Sequence, residues 1–161
     1  MHITITPSMR SGSYFSGIKV FLIDKCHPVL WDFAKLIQSE YPRMHLVGTA
    51  TSRSAAITGV IRQKPDVVLL DHGISNECTL DFLSQLAVLG RHRILILSGE
   101  QYPSELGRRA VALGACGVIS KEAPAELLLH AIECAYKQGQ WCELFTQKNV
   151  VIERRHFSRQ H

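Results

Sequence analysis

Two rhythms of apolar residues alternate along this chain. The first is a short, almost unbroken apolar run. It occurs at Ile18–Ile23 (IKVFLI), Met44–Gly48, Asp66–Leu70 (DVVLL), Arg93–Leu97 (RILIL) and Cys116–Ser120. Runs of this kind predict strands covered on both faces, as in a parallel sheet flanked by helices. The second rhythm is helical. Leu30, Phe33, Ala34 and Ile37 form a stripe within Pro28–Glu40, Leu80, Leu83, Leu86 and Ala87 another within Leu80–Leu89, and Leu127, Leu128, Ala131, Ile132 and Ala135 a third within Pro124–Gln138. Each stripe would bury one helix face. Further helices are predicted over Ser54–Gln63, weakened by Gly59 in its interior, and over Pro103–Leu113. Pro28, Pro103 and Pro124 suit first helical turns. Tyr41-Pro42 and Lys64-Pro65 close helices. Gly90 and Gly139 end two more, and Gly114 fits a left-handed cap. Thr49–Arg53 and Asn76–Thr79 are predicted loops.

Strand and helix thus alternate five times. Such alternation predicts an α/β fold, a doubly wound parallel sheet with helices on both faces. Short right-handed crossovers leave few topologies. The flavodoxin-like (βα)5 order, 2-1-3-4-5, is the expected one. In that order the first and third strands are neighbours, so Asp24 and Asp71 would stand side by side at the carboxyl edge. The Ser- and Gly-rich residues 1–17 are expected to be a flexible leader. Residues 18–139 form the expected domain, and residues 140–161 a tail or linker.

Composition narrows the reading only modestly. The chain has 161 residues, 46% hydrophobic and 20% charged, an ordinary globular mixture. No apolar run approaches the ~20 residues of a membrane span, and the start lacks a signal-peptide layout. The net charge of +4 leans on the C-terminal end, where Arg154, Arg155 and Arg159 lie. These residues alone do not make a nucleic-acid reader. The five cysteines are odd in number and lack CxxC spacing, so neither a zinc framework nor a disulfide framework is predicted. Scattered single cysteines fit a cytoplasmic location. The eight histidines show no HxxxH or HExxH spacing.

The candidate chemistry lies at the strand ends. Asp24 and Lys25 follow the first strand, Asp71 the third, Ser98 the fourth and Lys121 the fifth. In open α/β sheets, ligands bind beyond these carboxyl ends. A carboxylate there can act as a nucleophile toward an activated phosphoryl group. An ammonium and a hydroxyl would then stabilise the transferred oxygens. Gly73 lets the backbone turn just after Asp71. Glycine loops of the GxGxxG or GxxxxGK[ST] type are missing, so no bound nucleotide is predicted.

The stretches IKVFLIDKCHP, KPDVVLLDHGIS, RILILSGE and LGACGVISKEAPAELLLHAI resemble a response-regulator receiver domain. The resemblance is to the CheY-like domain that precedes a LuxR-type helix-turn-helix in NarL/FixJ regulators, and it covers about residues 18–139. It implies Asp71 as phosphoacceptor, with Ser98 and Lys121 assisting. It implies a Mg²⁺ site from Asp24, Asp71 and the Gly73 carbonyl. The implied partner is a sensor histidine kinase, and the implied output is transcription, regulated through the α4-β5-α5 face. DNA would be reached only through an effector domain absent from this chain. No membrane association is implied, nor a metabolic enzyme. Homodimerisation is common in such proteins and is left open by the sequence.

This sequence also departs from the family pattern. Lys25 stands where the family carries a second acid. Turned inward, Lys25 and Lys121 would cancel Asp24 and Asp71, and a divalent ion gains little from a neutral pocket. Turned outward on its flexible stem, Lys25 would still leave the ion one carboxylate short. Mg²⁺ binding is therefore expected to be weak and phosphorylation slow or absent. Val118 replaces the usual aromatic three positions before Lys121 and is expected simply to pack in its strand. His27 and His72 flank the site and are read as loop residues. Cys26 is read as an inert, half-buried thiol. The alternative function is a phosphorylation-independent interaction or dimerisation module. In the tail, Val150–Ile152 could pair as an edge strand or dock, with Trp141, Leu144 and Phe145 as apolar footing.

Overall fold

The computed structural model describes residues 17–74, 79–99 and 104–138, and two short strands at 144–145 and 150–151. Five strands, β1 (Ile18–Ile23), β2 (Met44–Ala50), β3 (Val67–Asp71), β4 (Arg93–Ser98) and β5 (Ala115–Ser120), pair in the order 2-1-3-4-5. All four pairings are parallel. Five helices connect or follow them: α1 (His27–Ser39), α2 (Arg53–Gln63), α3 (Thr79–Ala87), α4 (Ser104–Ala112) and α5 (Ala125–Gln138). This is the flavodoxin-like topology expected from the alternation of apolar runs.

The strands alternate their side chains between two cores. Val20 and Leu22 face one cluster with Ile37, Leu69, Leu97, Leu128 and Ile132, and α1 and α5 cover it. Phe21 and Ile23 face the other, with Val60, Leu70, Leu83, Leu86, Ile96 and Ala110. The predicted stripes face the cores: Leu80, Leu83 and Leu86 on α3 and Leu128, Ala131, Ile132 and Ala135 on α5 are buried, and on α1 Ile37 is buried while Leu30, Phe33 and Ala34, like Leu127 and Ala87, are partly buried. Phe82 is also fully buried, outside the predicted stripe; it joins the second core, and the Arg53 guanidinium of α2 lies 4.9 Å from its ring centroid.

Three local expectations are corrected. β2 continues past Gly48 to Ala50, because Thr49 and Ala50 pair with Leu22 and Ile23 of β1. This extension holds the site, since the Ala50 carbonyl accepts the Asp24 N–H at 3.1 Å. Gly59 is more than a weak point in α2. A Cβ on Gly59 would lie 2.4 Å from Cζ of Phe21, and one on Gly48 would lie 2.6 Å from Cε2 of the same ring. Phe21 fills the corner between β2 and α2, and both neighbours must lack a side chain there. Third, Val150–Val151 (β7) does not extend the sheet. It pairs antiparallel with Leu144–Phe145 (β6) in a separate ribbon.

Helix ends follow local chemistry. Pro28 sits in the first turn of α1. The Ser52 hydroxyl accepts the Ala55 N–H at 3.3 Å and caps α2. Gly114 takes a positive φ of 113° after α4, as its position predicted. Among the described residues, no helix is long and apolar enough to cross a membrane. The leader and the Trp141 footing lie outside the described residues.

Candidate functional site

Asp24, Asp71, Ser98 and Lys121 converge at the carboxyl edge of the sheet. Two of them end strands and two follow at once, so the parallel register delivers them to one level. Asp71 closes β3, where it pairs with Leu97, and Ser98 closes β4 opposite Ser120. Lys121 leaves β5 with its N–H donated to the Ser98 carbonyl at 2.9 Å. Asp24, Asp71 and Ser98 are buried, at 0%, 5% and 4% exposure.

Lys121 binds the constellation together. Its ammonium lies 2.8 Å from Asp24 Oδ2 and 2.7 Å from Asp71 Oδ1. Two buried carboxylates thus share one cation. Burial works against the Lys121 charge, but the bonds and charges of Asp24 and Asp71 outweigh it and raise its pKa above the usual lysine range. Asp24 Oδ1 accepts the Cys26 N–H at 2.9 Å. Asp24 Oδ2 has the ammonium at ion-pair distance but makes no hydrogen bond of good geometry. A buried carboxylate oxygen in that state is charge-paired yet has lone-pair capacity left for a cation. The inner pocket of Asp24, Asp71 and Lys121 carries a formal charge of −1.

The loop after Asp71 is tied to its surroundings. The His72 N–H donates to the Leu97 carbonyl at 2.8 Å, the Ile74 N–H returns to the Asp71 carbonyl at 3.3 Å, and the Thr79 hydroxyl donates to the His72 carbonyl. Gly73 lies against Asp71, and a Cβ there would sit 3.6 Å from Asp71 Oδ2. Burial holds the His72 pKa below the usual histidine range, with Asp71 pulling weakly the other way.

Lys25 is exposed, and its stem runs past Gly73, with Cε 4.0 Å from where a Gly73 Cβ would stand. It therefore stands beside the Gly73 turn that follows Asp71. The neutral sum that an inward Lys25 would produce does not describe the inner pocket. Lys25 acts from the rim, where solvent attenuates it. Val118 is buried among the α2–α4 core residues, as a strand-packing residue should be. Cys26 is exposed and not half-buried. It occupies the N-cap of α1, with its N–H donated to Asp24 Oδ1. His27 opens α1 on the surface. The contributions of the Cys26 amide and the Thr79 hydroxyl had no distinctive signal in the sequence. One is a backbone group, and the other belongs to a residue placed in a loop.

The donors present suit a hard divalent cation in part. Two carboxylates and a backbone carbonyl are oxygen ligands of the kind Mg²⁺ accepts, with water filling the remaining positions. Asp24 Oδ2 has lone-pair capacity left beside the Lys121 ammonium that it pairs with. Against this, the third acid is replaced by Lys25, and Lys121 already holds one oxygen of each carboxylate. Among the described residues, no group of three His, Cys, Asp or Glu side chains forms a metal cluster.

Residues 20–133 match the family described as response regulator receiver domain. The chain is 32% identical over 114 residues to the virulence-factor transcription regulator BvgA of Bordetella pertussis, covering 70% of this chain and 53% of that protein. It is 25% identical over 143 residues to the transcriptional regulatory protein DesR of Bacillus subtilis, covering 85% of this chain and 70% of DesR. The chain thus spans about half the length of BvgA. Among solved structures, a two-component response regulator of the LuxR family from Aurantimonas superposes with a TM-score of 0.71 at 22% identity, over 82% of this chain and 91% of that one.

Proposed function

The chain belongs to the response regulator receiver family, and on that premise we propose that Asp71 accepts a phosphoryl group from a phosphohistidine of a sensor kinase. An Asp71 carboxylate oxygen attacks phosphorus, the P–N bond to the kinase imidazole breaks, and an aspartyl phosphate forms. Lys121 turns its ammonium to the transferred oxygens, and the Ser98 hydroxyl donates to one of them. Asp24, Asp71 and the Gly73 carbonyl would hold Mg²⁺, which when bound neutralises charge on the phosphoryl oxygens. Lys25 makes that ion's hold weak. The observation that carries the reading is the single Lys121 ammonium at 2.7 and 2.8 Å from two buried carboxylates on neighbouring strands. Phosphorylation would release Lys121 from Asp71, and the change would pass to a partner through the α4-β5-α5 face. The output we propose is transcription, through an effector domain beyond the receiver, in the cytoplasm.

A second reading is favoured by Lys25 and Val118 together. One weakens the cation site, and the other removes the aromatic that turns inward in this family. Under it the domain is an interaction module that ignores phosphate. Acetyl phosphate with Mg²⁺ separates the two by intact mass. A phosphoryl adduct that disappears in Asp71→Asn supports the first reading. No adduct on a folded wild-type chain supports the second.

A further inference from the structure

Beside the Asp71 pocket, the missing side chain of Gly73 leaves an opening between two groups of opposite charge. A Cβ on Gly73 would stand 3.6 Å from Asp71 Oδ2, 3.8 Å from Asp71 Oδ1 and 4.0 Å from Lys25 Cε. The Asp71 carboxylate and the Lys25 stem are thus separated by little more than the space of one side chain. Lys25 is exposed, its stem is flexible, and its ammonium lies one bond beyond Cε. Lys121 holds Asp71 Oδ1 at 2.7 Å. Oδ2, the carboxylate oxygen nearest the opening, is therefore the one left to attack an incoming phosphorus.

We infer that Lys25 is a tethered cation for phosphoryl transfer: its ammonium moves over Gly73 to the oxygens of the phosphoryl group on Asp71, and the transfer proceeds without a divalent ion. The inference rests on Asp71 being the phosphoacceptor. Charge carries it. An aspartyl phosphate bears close to two negative charges where the carboxylate bore one. Lys121 is already shared between Asp24 and Asp71, at 2.8 and 2.7 Å, so the added charge calls for a second cation. Lys25 borders the opening into which a group on Oδ2 projects. A cation tethered there costs no capture of an ion from solution and is aimed where negative charge develops. The residue that weakens the ion's hold thus stands in for the ion. With acetyl phosphate as donor, Asp71 Oδ2 bonds to phosphorus, the phosphorus–oxygen bond to acetate breaks, and acetate leaves with the electron pair. Lys25 stays protonated throughout, and no proton moves.

The whole chain is treated with acetyl phosphate in EDTA, and intact mass follows the adduct over time. The wild type is expected to form it at a rate that added Mg²⁺ changes little, and Asp71→Asn to form none. Lys25→Gln should slow the reaction in EDTA about tenfold, the worth in water of one cation close to a doubly charged group. Lys25→Arg should restore most of the rate. High salt should slow the wild type and leave Lys25→Gln nearly unchanged, a response that a purely structural role of Lys25 does not give. Lys25→Asp should be slower than wild type in EDTA and faster at saturating Mg²⁺. Circular dichroism equal to wild type shows that the variants at this exposed position are folded. A wild-type adduct that requires Mg²⁺, or equal rates for wild type and Lys25→Gln in EDTA, would overturn the role of Lys25 and leave Asp71 as phosphoacceptor. No adduct on the wild type with or without Mg²⁺ would overturn both.

Discussion

Replacing Lys25 by Asp restores the acid that the family carries at this place and tests whether Lys25 weakens Mg²⁺ binding. Lys25 is exposed and stands beside Gly73, next to Asp71. Its charge is taken to act on an ion between Asp24 and Asp71 from on the order of 6 Å, and in water two unit charges at that distance interact by about 0.7 kcal/mol. Exchanging a positive for a negative side chain changes the rim by two units against a divalent ion, a fourfold multiple of that energy, or about 2.8 kcal/mol. Screening at physiological salt roughly halves it, to about 1.3 kcal/mol. The expected gain in Mg²⁺ affinity is therefore about tenfold at physiological salt and approaches a hundredfold at low salt. Direct coordination by the new carboxylate would add to this. Isothermal titration of Mg²⁺ into wild type and Lys25→Asp, at two salt concentrations, measures both the gain and its salt dependence. Equal affinities within a factor of about two, or a gain that ignores salt, would refute the electrostatic argument.

Two other perturbations probe the scaffold. Gly59→Ala should destabilise the domain, although helix propensity alone favours Ala by about 1 kcal/mol. The added methyl must displace the Phe21 ring, which also packs against Gly48, and overpacking of this kind costs about 1–3 kcal/mol. A urea midpoint higher than wild type would show that Phe21 moves freely. Acid should weaken the fold through His92 and His72, whose pKa values burial holds below the unfolded value. The native state then binds fewer protons than the unfolded one. Stability is full above the unfolded pKa of about 6.5 and is lost as pH falls toward the folded values. His92 Nε2 lies 2.8 Å from the Leu86 carbonyl, to which it donates. His92→Gln offers that carbonyl a donor that does not titrate, so its stability should fall less between about pH 7.5 and 5.5. Equal losses in denaturant unfolding would remove His92 from the account.

The sheet order and the site were legible in the sequence for one physical reason. A parallel sheet buries whole strands, so VVLL and RILIL read as strands unaided, and their ends mark the functional edge. Asp71 and Ser98 could be placed because each follows an unbroken apolar run. The less legible features depend on partners distant in sequence. β2 was cut short at Gly48 because Thr49 is polar, yet pairing with Leu22 and Ile23 extends it. Gly59 read as a defect because its neighbour Phe21 lies 38 positions away in the chain. The direction of Lys25 was open in the sequence because a four-carbon stem can point either way. Cys26 is exposed at the N-cap of α1, a placement that a single thiol in the sequence does not signal.

On the function proposed above, several strand ends form one phosphoryl-accepting pocket with Asp71 as its nucleophile. Borohydride reduction after acetyl phosphate treatment tests this most directly, since it converts an aspartyl phosphate to homoserine that peptide mass spectrometry can locate. Homoserine is expected at position 71, with more of it in Lys25→Asp than in wild type when Mg²⁺ is saturating. Homoserine at Asp24, or at no carboxylate in either protein, would contradict it.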